Sequence, residues 1–208
     1  LPRQEADVFT IHVDEDMDSV WVRVMDIQDG STKTTEQIVS MPVENGVLQW
    51  EKTGYLLAAV FERYGKGGGV GYGFLTGDCH KHGAVATSYA HDCHNILVAG
   101  NNPLDMQQAL NRVIQLQGGM VVVDQGLVQA ELQLNVGGIL SDRSVEEVGR
   151  GLGKIREAMI KQGYRHYNPI MSFGTLTLTA SPALKLTDKG LIDVPNTQIV
   201  PLIVKVDS

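Results

Sequence analysis

Only two stretches of this sequence carry a helical signature, and nearly everything around them reads as short β segments closed by turns. In the first, Asn102 stands as an N-cap and Pro103 occupies the first helical position, where a missing N–H costs nothing. Asp105 follows near the positive end of the helix dipole. Met106, Ala109, Leu110, Val113 and Ile114 then recur at helical spacing, and Gly118-Gly119 predict the end. The second opens on a capping box, Ser144 to Glu147, and carries the stripe Val145, Val148, Leu152, Ile155 and Met159. It closes on Lys161 and Gly163. Two helices among many strands exclude the βαβα alternation of a doubly wound fold. They predict an α+β fold with mixed, largely antiparallel sheets and two main helices. Length adds an exclusion. A (β/α)8 barrel typically takes about 250 residues, so none is expected in these 208.

The strand expectations are local. Val8–Val13, Val20–Met25 and Leu56–Tyr64 are rich in β-formers, and Asp29-Gly30 and Asn45-Gly46 are turn dipeptides. Val121-Val122-Val123, the turn Asp124-Gln125-Gly126 and Leu127–Leu134 predict a hairpin. Residues 83–90 read as a strand entering the core, followed by the apolar run Ile96-Leu97-Val98. Gly174–Thr179 and Ile199–Val206 are the last expected strands. One domain over residues 1–208 is expected, with a weak subdivision near residue 80.

Charge narrows the partners. Residues 1–52 hold eleven acids against four bases, and the rest balances, so the net −7 sits in the first quarter. With no basic stripe, neither nucleic acid nor an anionic membrane is an expected partner. There is no apolar run of ~18–20 residues, no signal peptide and only two cysteines. A cytoplasmic protein with reduced thiols is expected.

The chemistry-bearing residues are concentrated. The glycine-rich stretch Gly65–Gly73 matches neither a phosphate-loop nor a dinucleotide spacing, and reads as a loop or a close backbone approach. Residues 78–94 hold four of the six histidines and both cysteines. Cys79-His80 and Cys93-His94 are adjacent pairs, not zinc-knuckle spacings. An extended strand between them, at about 3.3 Å per residue, holds the two halves ~25 Å apart. A zinc site is therefore not expected. The run His91-Asp92-Cys93-His94-Asn95 reads instead as a polar turn at a strand end, where sites are often mounted. Histidine and aspartate together can move protons or orient a reacting group; a merely hydrogen-bonded turn is the alternative. Asp92 opposes any lowering of the Cys93 pKa, which argues against a nucleophile there. His12 and His166 are isolated and read as structural or surface groups.

The segment Gly83-Ala84-Val85-Ala86-Thr87-Ser88-Tyr89-Ala90-His91-Asp92-Cys93-His94-Asn95-Ile96-Leu97-Val98 resembles the C-terminal domain of bacterial adenine deaminases, members of the amidohydrolase superfamily. Asn111-Arg112, Gly118–Val123, Gly137–Asp142 and Leu184–Val194 agree in order, and the resemblance covers roughly residues 6–194. It implies hydrolysis of adenine to hypoxanthine and ammonia by an enzyme whose divalent iron or manganese sits in a (β/α)8 barrel. That barrel is missing here. His80-Lys81-His82 has the literal spacing of the barrel's metal motif but follows Asp78-Cys79 rather than an apolar strand. The family usually has serine at position 93, and non-ligand residues at 79, 80 and 82. The resemblance thus implies an accessory domain without its own metal, inactive alone. His91, Asp92, His94 and Asn95 would face the active-site mouth of the barrel. The implied partners are the missing N-terminal barrel, adenine as substrate of the whole enzyme, and further copies in a homo-oligomer. A start at Leu1 rather than methionine fits a piece of a larger enzyme. The alternative is a free-standing, non-catalytic module for small-molecule binding or oligomerisation.

Overall fold

In the computed structural model, residues 1–14 and 16–204 are described. The strands are β1 (Ser19–Ile27), β2 (Thr34–Glu44), β3 (Val47–Leu48), β4 (Leu56–Phe61), β5 (Val70–Gly77), β6 (Ala84–Thr87) and β7 (Ile96–Gly100). Helix α1 (Pro103–Gln115) separates them from the hairpin β8 (Gly119–Asp124) and β9 (Leu127–Gln133). Then come α2 (Val145–Lys161), the short α3 (Pro169–Gly174), and β10 (Leu184–Thr187), β11 (Gly190–Asp193), β12 (Gln198–Val200) and β13 (Ile203–Val204). The main sheet runs β3-β2-β1-β5-β4-β7-β6-β8-β9, with β13 added beside the first half of β1; β10, β11 and β12 form a second sheet. Among the described residues only β1 and β5 run parallel, from Val24 opposite Phe74 to Ile27 opposite Gly77. The fold is α+β with mixed, largely antiparallel sheets, and the main sheet ends at β3 and β9 rather than closing into a barrel.

The central strands are apolar throughout because both faces of the sheet are covered. Every residue of β4, β6 and β7 is buried. A strand buried on both faces reads as a continuous run instead of an alternation. Neighbouring residues point to opposite cores, as a period of two demands. Val24, Phe74 and Val98 join Phe9, Met106 and Leu110 under α1. Met25, Leu75 and Leu97 join Ile155, Phe173 and Leu186 under α2, α3 and the small sheet. The edge strand β9 keeps the alternation, with Ala130 and Leu132 buried between exposed neighbours.

The predicted caps and turns are present. Asn102 Oδ1 accepts the Asp105 N–H at 2.8 Å. Ser144 Oγ accepts the Glu147 N–H at 3.3 Å while Glu147 Oε2 accepts the Ser144 N–H at 3.2 Å. Asn45-Gly46 and Gln125-Gly126 form two-residue hairpin turns in which all four residues have positive φ.

Five local expectations are corrected. Val8–Val13 is not a strand: a 3-10 turn covers Ala6–Phe9, and only His12 bridges, to Val47. Phe9 is drawn into the core instead, edge-on to Phe61, and its carbonyl accepts the Trp50 indole N–H. Gly174–Thr179 is not a strand either. It continues α3 into a 3-10 turn over Thr175–Thr177, on an Asn168-Pro169 start like that of α1. Helix α1 ends one turn before the glycine pair: Gln117 takes the left-handed position, and Gly119 already belongs to β8. Gly118 lies against Gly138, where a Cβ would collide with backbone. Ile199–Val206 splits into β12 and β13 around Pro201, which has no N–H to give; Lys205 and Val206 lie outside the described residues. Leu56–Tyr64 is strand only as far as Phe61.

Among the described residues no helix is long and apolar enough to cross a membrane.

Candidate functional site

The turn 91–95 hangs between β6 and β7, and polar groups from distant elements fix it. Thr87 Oγ1 accepts the Tyr89 N–H at 2.9 Å, turning the chain out of β6. Ser88 Oγ accepts the Gly119 N–H at 2.8 Å and donates to the Gly138 carbonyl. The His91 N–H then donates to the Gly174 carbonyl at 2.9 Å, the Thr177 hydroxyl donates to the His91 carbonyl, and the His94 N–H returns to the Ala90 carbonyl at 2.7 Å.

This backbone gathers three rings. Tyr89 meets His91 edge-on at 4.9 Å between centroids, and His94 lies 6.0 Å from His91 and 6.3 Å from Tyr89. His91 Nε2 and His94 Nδ1 are both shielded from solvent and have no hydrogen-bond partner. An unpaired buried nitrogen costs free energy; His80 Nδ1 and Gln162 Oε1 are unpaired in the same way, but only His91 and His94 bring two such atoms into one cluster. Burial lowers the His94 pKa, as do the nearby charges of His91 and Arg63, against a weaker opposing effect of Asp92. His94 is therefore biased toward the neutral imidazole. Asp92 stands outside, its side chain 79% exposed, with Oδ1 3.6 Å from His91 Nδ1. Asn95 is turned inward: its Oδ1 accepts the Arg63 N–H at 3.3 Å and its Nδ2 donates to Asp188 at 3.1 Å. Of the four sequence candidates, His91 and His94 thus come together, Asp92 lies on the rim, and Asn95 anchors the turn from beneath.

Several contributors escaped the sequence reading. Arg63 donates to the His94 carbonyl, and at 2.7 Å to the Gly137 carbonyl and 2.9 Å to the Tyr64 hydroxyl. It ties the turn to the 137–138 loop, where a Cβ on Gly138 would press against its guanidinium. Tyr89 supplies the ring under both histidines. Its one sequence signal was its position just ahead of the polar run. Glu62 explains the glycine-rich stretch. Its carboxylate accepts the N–H groups of Tyr64, Lys66 and Gly68. Burial raises its pKa, but these N–H bonds outweigh burial and the net shift is downward. The loop donors that a phosphate would need are already serving a carboxylate of the same chain. The glycines also permit the expected close approach, since a Cβ on Gly71 would strike the Thr187 carbonyl.

The other half of the 78–94 cluster goes elsewhere. His80 is fully buried, its Nε2 3.1 Å from the Ala99 carbonyl, and burial pushes its pKa down to about 4. Cys79 is buried, its thiol pushed up to about 11 by burial. His82 sits half-exposed beside Asp124 at 3.1 Å. Burial raises the Cys93 thiol as well, which removes it as a nucleophile. Among the described residues no three His, Cys, Asp or Glu side chains come together as a metal-binding set. The described residues thus do not form a donor set for a divalent metal.

Fold and site together define an α+β domain that mounts a histidine turn at a strand end. The family model for the adenine deaminase C-terminal domain matches residues 31–198. "Adenine deaminase 2" of Shouchella clausii is 53% identical over 205 residues, which is 98% of this chain and 35% of that protein. "Adenine deaminase" of Clostridium perfringens is 50% identical over 183 residues, 88% of this chain and 32% of the relative. "Adenine deaminase 2" of Oenococcus oeni is 38% identical over 203 residues, 98% of this chain and 36% of the relative. The chain belongs to the adenine deaminase C-terminal domain family. It spans about a third of the length of these relatives.

Proposed function

We propose that this chain acts as one domain beside a metal-bearing amidohydrolase barrel and closes the mouth of its adenine site. The reaction adds water to the ring carbon bearing the amino group, then breaks the carbon–nitrogen bond. Adenine and water become hypoxanthine and ammonia, and the leaving amino group must gain a proton on the way. The observation that supports a part for this domain is the pair of buried, unpartnered ring nitrogens, His91 Nε2 and His94 Nδ1. Neutral His94 suits acceptance of a proton or of a substrate N–H. His91 offers its unpaired Nε2 beside it as a second hydrogen-bonding atom. Asn95 holds the turn in place through Arg63 and Asp188. Activation of the water falls to the part of the enzyme outside this chain, where divalent iron or manganese is the expected metal. A cytoplasmic homo-oligomer is the expected form.

His91→Ala in the complete enzyme tests this. A fall in kcat of tenfold or more, with circular dichroism unchanged, is expected; unchanged kcat and KM reject the active-site role. The 208-residue chain alone is expected not to deaminate adenine.

A further inference from the structure

An apolar groove of about 490 Å3 runs between β9, α2 and α3. Leu134, Ile139, Val148, Leu152, Ile170 and Met171 form its walls. Arg156 and Asn168 line it as well, and two exposed aliphatics flank its lining residues along the chain. Leu140, next to Ile139, is 64% exposed, and Val145, one helical turn before Val148, is 84% exposed. Single exposed aliphatics are ordinary, but a contiguous apolar surface around a groove marks an interaction site. Nothing local calls for valine at the first position of α2, whose capping box is complete without it.

The position of the groove says what covers it. Tyr89 lines one end, so the groove opens onto the ring cluster of the candidate site. Ile139 follows Gly138, which lies against both Arg63 and Gly118. Leu1 lines a hollow with Arg63, Ile96 and the same Gly118. The hollow that holds Leu1 and the groove thus adjoin across the Gly118–Gly138 contact, with Arg63 linking that contact to the histidine turn. The relatives are about three times as long as this chain, and the family is that of a C-terminal domain, so in them a long stretch of polypeptide precedes this fold. In a chain of that form, the preceding residues leave from the hollow that adjoins the groove.

We propose that this groove is the seat of the polypeptide that precedes the domain in the full-length protein. The occupant is an apolar segment of the same chain, presenting aliphatic or aromatic side chains to the walls. Docking there sets the histidine turn against the body of the enzyme. The proposal rests on the reading of this chain as one domain of a longer enzyme, but not on any role for His91.

The test uses the complete protein and the double variant Leu140→Glu/Val145→Glu. Both side chains are exposed, so the fold of the domain itself is left intact. Hydrogen–deuterium exchange across residues 134–140 and limited proteolysis just ahead of position 1 are the readouts. Exchange at least tenfold faster in the variant, with faster cleavage ahead of position 1, is expected. Val145→Gln, which adds no charge, should shift both in the same direction by less. Unchanged exchange and cleavage in the double variant overturn the proposal. So does protection of the groove that depends on protein concentration, because the occupant is then a second copy. If the double variant frees the segment but His91→Ala leaves deamination unchanged, the groove stands and the active-site reading falls. If His91→Ala lowers kcat and the double variant changes nothing, the reverse holds.

Discussion

Cys79-His80 and Cys93-His94 are the same dipeptide, yet the fold makes opposite things of them. The first enters the core: His80 stacks on Tyr164 at 6.2 Å and bonds the Ala99 carbonyl. The second sits at a strand end, where His94 packs against two rings and keeps a buried nitrogen unpaired. The difference comes from what each ring meets. His80 is sealed in the core with Nε2 bonded and Nδ1 unpaired, whereas His91 and His94 bring two unpaired nitrogens together at a half-buried turn.

This contrast can be broken at either end. The largest effect belongs to the sealed side. The pKa of His80 lies near 4 when folded, against about 6.5 in an unfolded chain. The unfolded state therefore binds the extra proton as pH falls from 6.5 to 4, and stability drops by about 3 kcal/mol over that window. His80→Gln keeps an N–H for Ala99 and does not titrate. Urea titrations at pH 4.5 and 7 should show this slope in the native sequence and lose it in the variant. An unchanged slope would place the acid sensitivity elsewhere.

Lys185 sharpens the same argument with a different base. Its side chain is fully buried, it donates to the Thr32 carbonyl, and burial pushes its pKa down to about 8. An unfolded lysine stays protonated to about 10.4. Between those values only the unfolded state holds the proton, so stability should rise as pH climbs from 8 toward 10.4. Below pH 8 the buried charge persists and remains a cost. Lys185→Met should stabilise the fold at pH 7 by about 2 kcal/mol, because Thr32 keeps the Ser181 hydroxyl as a donor. Thermal melts across this range would check both the gain and the lost slope. The smallest effect is at the rim: Asp92→Asn should shift stability by less than ~0.5 kcal/mol, since the carboxylate is solvated. A loss of 2 kcal/mol there would mean that the turn is structural.

The sequence was legible where the chemistry is local. A cap involves residues three apart, so Asn102–Asp105 and Ser144–Glu147 announced α1 and α2. Asn168-Pro169 carried the same message, but α3 has only six residues, too few for a periodicity, and threonines then suggested a strand. Val8–Val13 misled because its β-formers lost to the tertiary demand for Phe9 against Phe61 and Trp50. At the site, the polar run at 91–95 could be seen, but its supports could not. Arg63 reaches it from just past the end of β4, Thr177 from the turn after α3 and Asp188 from the β10–β11 turn. Such partners are specified by the topology of the sheet rather than by spacing along the chain.

That topology also sets a timetable. Trp21 of β1 pairs with Val204 of β13, so an early strand of this domain waits for a much later one. At ~5–20 residues per second, that edge stays open for roughly ten to forty seconds during translation. An open strand edge is a template for pairing with another nascent chain. Asp14, Asp16 and Asp18 lie immediately ahead of β1, and like charges beside an open edge disfavour its pairing with a second copy.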